Sequence, residues 1–160
     1  MIVTHDKAPI VNFDPVVFLA LESLSQQKSI IIFCASKDKC EKLSSKIAEA
    51  VRKSMQGTKD PTLSSHVFEI RVSRERKALC DSMLKELTDT PMGLCPKLKQ
   101  SLPHLVAYHH AGLIIEERRI IEKFFRIGVL GALCTTSTLA AGVNLPADRV
   151  IIRELQVTSD

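Results

Sequence analysis

The sequence is poor in aromatic residues, and it lacks the patterns of disulfide-bonded and membrane-spanning chains. Its 160 residues include no Trp, one Tyr and 4% aromatics in all, so base stacking is not expected to dominate any contact with nucleic acid. The five cysteines are an odd number without a C-x-x-C pair, which argues against a disulfide framework and for a reducing compartment. No apolar run approaches about 18 residues, and the first residues lack the apolar core of a secretory signal. We therefore expect a soluble intracellular protein without a membrane partner.

Several kinds of chemistry are missing as well. No G-x-x-x-x-G-K-[ST] sequence occurs, so the chain has no P-loop of its own for nucleotide phosphates. The pair His109-His110 has no carboxylate or cysteine at the spacing of metal ligands. Adjacent side chains at a strand end also point to opposite faces of the sheet, so no metal site is predicted. Cys34 ends an apolar segment, where a buried inert thiol is favoured over a nucleophile. The net charge of +4 permits an anionic partner.

Short apolar segments alternate with helical patterns along the chain. Continuous β-branched runs predict buried strands, while apolar residues at intervals of three and four predict amphipathic helices. The predicted strands are 30–34, 106–109, 129–133 and 149–152. This alternation predicts an α/β domain over residues 1–153, with a mainly parallel sheet covered by helices on both faces. Residues 54–73 read as a flexible insertion and 154–160 as a C-terminal tail that frays.

The segment 134–153 carries the strongest local signal. Four hydroxyl residues at 135–138 are followed by a small-residue turn ending at Gly142, then by Asn144 and a predicted strand. Ligands of open α/β sheets bind beyond the carboxyl ends of the strands, and hydroxyls and loop amides both donate to phosphate oxygens. The pattern therefore favours a phosphate-contacting loop. The alternative is that the hydroxyls cap a helix beginning near Leu139.

Three stretches read together are more specific than any of them alone. They are SIIIFCASK at 29–37, VAYHHAGL at 106–113 with the helix pattern after it, and TSTLAAGVNLPADRVIIR at 136–153. In this order they resemble motifs IV, IVa and V of the second RecA-like domain of superfamily-two helicases. The spelling is most similar to the Ski-type group, namely the polymerase-theta helicase domain and its HELQ relatives. The resemblance covers about residues 29–153 and is weakest over 54–90.

The resemblance implies a fold, an activity and a set of contacts. It implies a RecA-like domain of an ATP-driven 3′-to-5′ DNA-unwinding motor that acts in DNA repair in the nucleus. The complete motor would use ATP and Mg²⁺, with a DNA single strand and a first RecA-like domain as partners. The residues implied to contact the DNA backbone are Ser36, Lys37, His110, Ala111, Gly112, Thr136 and Thr138. Gly142 and Asn144 are implied to lie at the nucleotide and interdomain cleft.

The sequence also departs from the pattern of that family. The Walker Lys, the acidic Mg²⁺ motif and the Q-x-x-G-R-A-G-R element of motif VI do not occur. Ile114 stands where relatives usually have a capping Thr, and Asp148 stands where they often have Arg, which would bring negative charge near the DNA. No catalytic residue is therefore assigned, and the isolated chain is expected to bind DNA weakly and to hydrolyse no ATP. The alternative is a degenerate, non-enzymatic helicase domain that binds nucleic acid or a protein partner.

Overall fold

A computed structural model describes residues 14–57, 68–137 and 145–153 of the chain. Thr138, Gly142, Asn144 and the predicted tail at 154–160 lie outside these residues. The elements in chain order are α1 Pro15–Ser25, β1 Ile30–Phe33, α2 Lys37–Met55, α3 Arg74–Thr88, α4 Pro96–Ser101, a 3-10 turn Leu102–His104, β2 Val106–His109, α5 Ile115–Arg126, β3 Ala132–Thr135 and β4 Arg149–Ile152. None of the helices in these described parts is long and apolar enough to cross a membrane.

The four strands form one parallel sheet in the order β2-β3-β1-β4. Ile30, Ile31 and Ile32 of the central strand β1 are all buried. Since successive side chains of a strand point to opposite faces, both faces of the sheet are covered. Helix α2 packs on β2 and β3, and α5 packs on β2 and α3. The predicted α/β class is confirmed, and the arrangement is a RecA-like fold.

The sequence predicts Asp14 and Ser36 as helix caps, and helices α1 and α2 begin directly after these residues. The Asp14 carboxylate accepts a hydrogen bond from the Val16 amide at 3.0 Å, with Pro15 at the first helical position. The Ser36 hydroxyl oxygen accepts from the Lys39 amide at 3.2 Å and so starts α2. Gly128 has a φ of +84° just after α5, a conformation that glycine adopts readily and that ends the helix as predicted.

The buried face of α2 follows the predicted register, whereas that of α3 does not. Helix α2 buries Cys40, Leu43, Ile47 and Val51 at intervals of three and four residues. The apolar spacing over 74–87 predicts that Leu79, Met83 and Leu87 share one buried face. Helix α3 instead buries Cys80, Met83 and Leu87, and Leu79 is exposed. In the first half of α3 the buried position is therefore Cys80, one residue later along the chain than the predicted Leu79.

The stretch predicted to be a flexible insertion is partly structured. Helix α2 continues to Met55. At the other end of the stretch, the Phe68 ring packs edge-on against Phe18 with centroids 5.0 Å apart, and Ile70 is buried. Residues 54–73 are polar on average, but Phe68 and Ile70 pack against the rest of the domain. The last residues of the stretch are therefore part of the folded domain.

The third strand begins later than predicted. It spans Ala132–Thr135, not 129–133. The Phe124 carbonyl accepts from the amides of both Val129 (2.9 Å) and Leu130 (3.1 Å), which folds that apolar pair into the turn after α5. Both side chains are buried, and hydrophobicity alone does not distinguish a buried turn from a strand. As a consequence, Thr135 is the last strand residue and is fully buried.

Asp148 lies at the amino-terminal edge of the sheet. Its carboxylate accepts from the Ser29 amide at 2.8 Å, and its own amide donates to the Ser29 hydroxyl at 3.2 Å. These residues precede Ile30 and Arg149, which pair at the starts of β1 and β4. Asp148 therefore lies away from the strand ends that carry the described candidate DNA contacts, and it brings no negative charge beside them. It joins two strand starts at the amino-terminal edge.

Candidate nucleic-acid interface

The carboxyl ends of the strands lie together at one edge of the sheet. Phe33 pairs with Thr135, and Thr135 pairs with His109, so β1, β3 and β2 end level with one another. The segments that follow these three strands carry Ser36-Lys37, His110 to Gly112 and Thr136. The structure therefore brings the described candidates of all three motifs to the edge where ligands of parallel sheets bind.

Motifs IV and IVa approach each other across this edge. Ser36, Lys37, Ala111 and Gly112 are all exposed. A Cβ atom built on Gly112 would lie 3.8 Å from Cδ of Lys37. The Lys37 side chain thus passes beside the exposed Ala111-Gly112 turn, where its ammonium group is available to an anion.

His110 supports this turn from inside the protein. The side chain is buried, and its Nδ1 accepts a hydrogen bond from the Gly112 amide at 3.0 Å. Nε2 therefore carries the proton of the neutral ring and donates to Glu41, 3.0 Å away. The ring also stacks on Tyr108 with a centroid distance of 5.2 Å and an interplanar angle of 11°. The predicted role of His110 was to offer a loop amide to phosphate, whereas its side chain holds the turn in shape.

Glu41 and Lys97 complete this support. Lys97 Nζ lies 2.7 Å from one Glu41 oxygen, while His110 occupies the other. Burial pushes the pKa of the Glu41 carboxyl upward, but the hydrogen bonds from Lys97 and His110 outweigh it and the pKa lies below its ordinary value. Glu41 is therefore a carboxylate at neutral pH that links α2, α4 and the Gly112 turn.

Gly112 leaves no room for a side chain. A Cβ atom there would lie 2.8 Å from Cε1 and 2.9 Å from Nδ1 of His110. The Gly112 amide is already bonded to that ring, so the amide is engaged within the protein. What the turn presents outward is its exposed backbone, close to Lys37.

Thr136 stands next to this turn on the neighbouring strand end. It is half-buried, and its amide donates to the His109 carbonyl at 3.4 Å. The buried Thr135 hydroxyl donates to the Thr136 carbonyl at 3.0 Å. The hydroxyl cluster is thus divided, since Thr135 stabilises the strand end and Thr136 lies toward the surface. Thr138 belongs to the part of the chain that is not described.

The two adjacent histidines face opposite sides of the sheet, as predicted. His109 Nε2 lies 2.9 Å from the Glu122 carboxylate on α5, whereas His110 bonds Glu41 on α2. Burial lowers the pKa of His109, against the opposing effect of Glu122. Within the described residues no cluster of three or more His, Cys, Asp or Glu side chains could hold a metal ion.

Helix α5 begins without a side-chain cap. Ile114 occupies the N-cap position and cannot accept a hydrogen bond there. The helix pattern over 114–126 predicts that Glu117 faces mostly outward, but the structure buries it. Burial raises the pKa of Glu117, and a hydrogen bond with the Ile114 backbone partly opposes the rise. The hydroxyl that the sequence lacks at position 114 therefore corresponds to a helix start without a side-chain cap, with Glu116 and Glu117 in its first turn.

Sequence reasoning missed Glu41, Lys97 and Tyr108. The sequence pattern places Glu41 among the charges that lie away from the apolar side of its helix, and it assigns no role to Lys97, because neither residue has a role in the motifs. Their roles depend on a contact between residues 56 or more positions apart along the chain, and no local pattern contains that information.

Comparison with known proteins gives a consistent set of relatives. No family model matches the chain. It is 40% identical over 140 residues to DNA polymerase theta of Drosophila melanogaster, covering 88% of this chain and 6% of that protein. It is 38% identical over 133 residues to the human helicase POLQ-like protein, covering 82% of this chain and 10% of that protein. It is 35% identical over 141 residues to the ATP-dependent DNA helicase Hel308 of Methanocella arvoryzae, covering 88% of this chain and 17% of that protein. The chain thus spans less than a fifth of the length of these curated relatives.

Proposed function

The chain is homologous over most of its length to Ski-type superfamily-two DNA helicases, and on that premise we propose that it is the second RecA-like motor domain of such a helicase. In this role it grips the backbone of one DNA strand during 3′-to-5′ unwinding in DNA repair, within the nucleus. The observation that carries the proposal is the convergence of Ser36-Lys37, the Gly112 turn and Thr136 at one edge of a parallel sheet.

The chemistry of this edge suits a sugar-phosphate chain. Lys37 supplies charge beside the exposed Ala111-Gly112 turn, and the region of Thr136 adds polar groups. Such contacts carry no base information, so binding should be independent of sequence and sensitive to salt. The proposal extends to Thr138 for phosphate contact and to Gly142 and Asn144 for the nucleotide cleft.

ATP hydrolysis requires groups that this sequence does not contain. We assign ATP and Mg²⁺ to the complete motor, where a first RecA-like domain supplies the P-loop and the acidic Mg²⁺ motif. The 160-residue chain by itself should hydrolyse no ATP. Mixing it with a matching first RecA-like domain should restore a DNA-stimulated ATPase, whereas continued inactivity would favour the degenerate, non-enzymatic module.

The DNA contact is tested by fluorescence anisotropy with a labelled single-stranded oligonucleotide. Lys37→Gln should weaken binding about three- to tenfold at low salt and reduce the slope of log affinity against log salt by about 0.7. Lys46→Gln is the matched control, because Lys46 is an exposed lysine further along the same helix. Equal losses in the two variants would contradict the assignment of the interface to this edge.

A further inference from the structure

The amino-terminal edge of the sheet carries an open pocket that the proposed DNA contact does not use. The pocket has a volume of about 330 Å³ and lies between the α1–β1 turn, α3 and the turn from α5 to β3. Lys28, Arg76 and Arg126 line it, together with the acidic residue Asp148. The lining therefore has an excess of positive charge, at the opposite end of the strands from Gly112.

Arg76 is a partly buried cation without a carboxylate partner among the described residues. Its Nε donates to the Val129 carbonyl at 3.0 Å, and burial lowers the pKa of its guanidinium. A guanidinium removed from water is stabilised far better by an anion than by one carbonyl oxygen. Among the described residues no acceptor is found for the N–H groups on its two terminal nitrogens, which can therefore bind a further acceptor.

The backbone beside Arg76 is shaped to receive the guanidinium. A Cβ atom on Gly131 would lie 3.2 Å from Nη2 of Arg76 and 2.0 Å from a methyl carbon of Leu24. Gly131 itself lines the pocket. The absence of a side chain at this position therefore allows the cationic end of Arg76 to lie against the main chain next to the open space.

The acid of the pocket is already bonded to neutral donors. One oxygen of Asp148 accepts from both the amide and the hydroxyl of Ser29, at 2.8 and 3.3 Å. Lys28 and Arg126 are exposed, and neither forms an ion pair within the described part of the chain. Asp148 therefore forms no direct ion pair with Lys28, Arg76 or Arg126 among the described residues, as the acid of a structural ion-pair network would.

We propose that this pocket binds the phosphate group of a small ligand. The planar N–H groups of an arginine match two phosphate oxygens, and Lys28 and Arg126 add charge from the two flanking turns. The volume is at the lower end of the range for ligand pockets, roughly 300–1,000 Å³, which favours a compact molecule. The site is separate from the DNA-facing edge and goes beyond the proposed motor function.

The test is a titration of the full 160-residue chain with inorganic phosphate, with sodium chloride adjusted to keep ionic strength constant. Saturable NMR shifts are expected at the Ser29 and Gly131 amides and at the Nε–H of Arg76. Arg126→Gln and Lys28→Gln should each weaken binding by up to about tenfold. Arg119→Gln, an exposed arginine on the same helix as Arg126, should leave binding unchanged. Arg76 is kept because its bond to Val129 also joins α3 to the turn.

A gain-of-binding variant makes the test independent of any loss of folding. Asp148→Asn removes the one acid among the described residues that line the pocket. Its amide oxygen can still accept from Ser29, so phosphate should bind several-fold more tightly. The proposal is overturned if no saturable shift appears, if Arg119→Gln weakens binding as much as Arg126→Gln, or if acetate gives the same response. Displacement of phosphate by a single-stranded oligonucleotide would overturn the small-ligand assignment, because it would make this edge a second nucleic-acid contact.

Discussion

At the scale of single residues, Gly112 is the position in the candidate interface with the least freedom. Gly112→Ala would force a Cβ atom to within 2.8 Å of the buried His110 ring, and the ring is held on its other side by Glu41. We expect the variant to lose about 1–3 kcal/mol of unfolding free energy, as overpacked sites do. Urea denaturation measures this loss. Ala111→Ser, at the exposed neighbouring position, should stay within about 0.5 kcal/mol of the parent chain; an equally stable Gly112→Ala variant would contradict the packing described here.

The charge on Glu41 gives the chain a specific dependence of stability on pH. Its pKa in the folded state lies below the ordinary value of 4.5, so its contribution is complete above pH 4.5 and is lost as the pH falls through the folded-state pKa. Glu41→Gln should therefore be less stable than the parent near neutral pH, and the difference should shrink in acid. Denaturant titrations at several pH values between about 3 and 7 measure this difference.

Glu117→Gln is the contrasting variant for that measurement. The pKa of Glu117 is raised by burial, so the native state favours the protonated acid and the contribution of Glu117 to stability falls as the pH rises through 4.5. Replacing it with a neutral amide should cost less near pH 7 than replacing Glu41. If the Glu41→Gln deficit were the same at all pH values, the network of Glu41 with Lys97 and His110 would not act through charge.

At the scale of secondary-structure elements, the start of α5 is the weakest helix start in the interface. Ile114 provides no side-chain acceptor for the free amides of the first turn, whereas α1, α2 and α3 each have one. Ile114→Thr supplies the missing acceptor and should raise the unfolding free energy by about 1 kcal/mol, with a higher Tm. Ile115→Thr introduces the same residue one position later, where it cannot cap, and should give no gain. A gain from both variants would point to lost apolar exposure as the cause.

The order of the helices and strands could be predicted from the sequence. The residue at which each strand begins, and the contacts at the sheet edges, could not. Buried strands such as β1 and β2 have continuous β-branched or apolar runs, and the caps at Asp14 and Ser36 are local signals. The start of β3 was misplaced because Val129 and Leu130 are as apolar as a strand while bonding to the Phe124 carbonyl. Local pattern determines which segments are apolar, and long-range hydrogen bonds determine which of them join the sheet.

At the scale of the whole molecule, the parallel sheet separates two chemically different edges. The sequence and the family resemblance located the carboxyl-end edge, with Ser36, Gly112 and Thr136, because its residues lie in motifs. The network behind it and the basic pocket at the other edge are assembled from residues such as Glu41, Lys97 and Arg76, which are far apart in the chain. The candidate interface was therefore predictable in outline, but the residues that support it were not.

This separation predicts that damage at one edge should not affect binding at the other. Asp148→Ala removes the acceptor that joins the starts of β1 and β4 through Ser29, and should cost about 1–2 kcal/mol of unfolding free energy. Because Ser36, Gly112 and Thr136 lie at the opposite ends of the strands, the affinity for a single-stranded oligonucleotide should change by less than about twofold under conditions where both chains are folded. Urea denaturation and fluorescence anisotropy on the same samples measure the two effects, with Lys37→Gln as the reverse case: unchanged stability and weaker binding. A large loss of oligonucleotide affinity in Asp148→Ala would place DNA contact at the amino-terminal edge and reverse the orientation proposed for the domain.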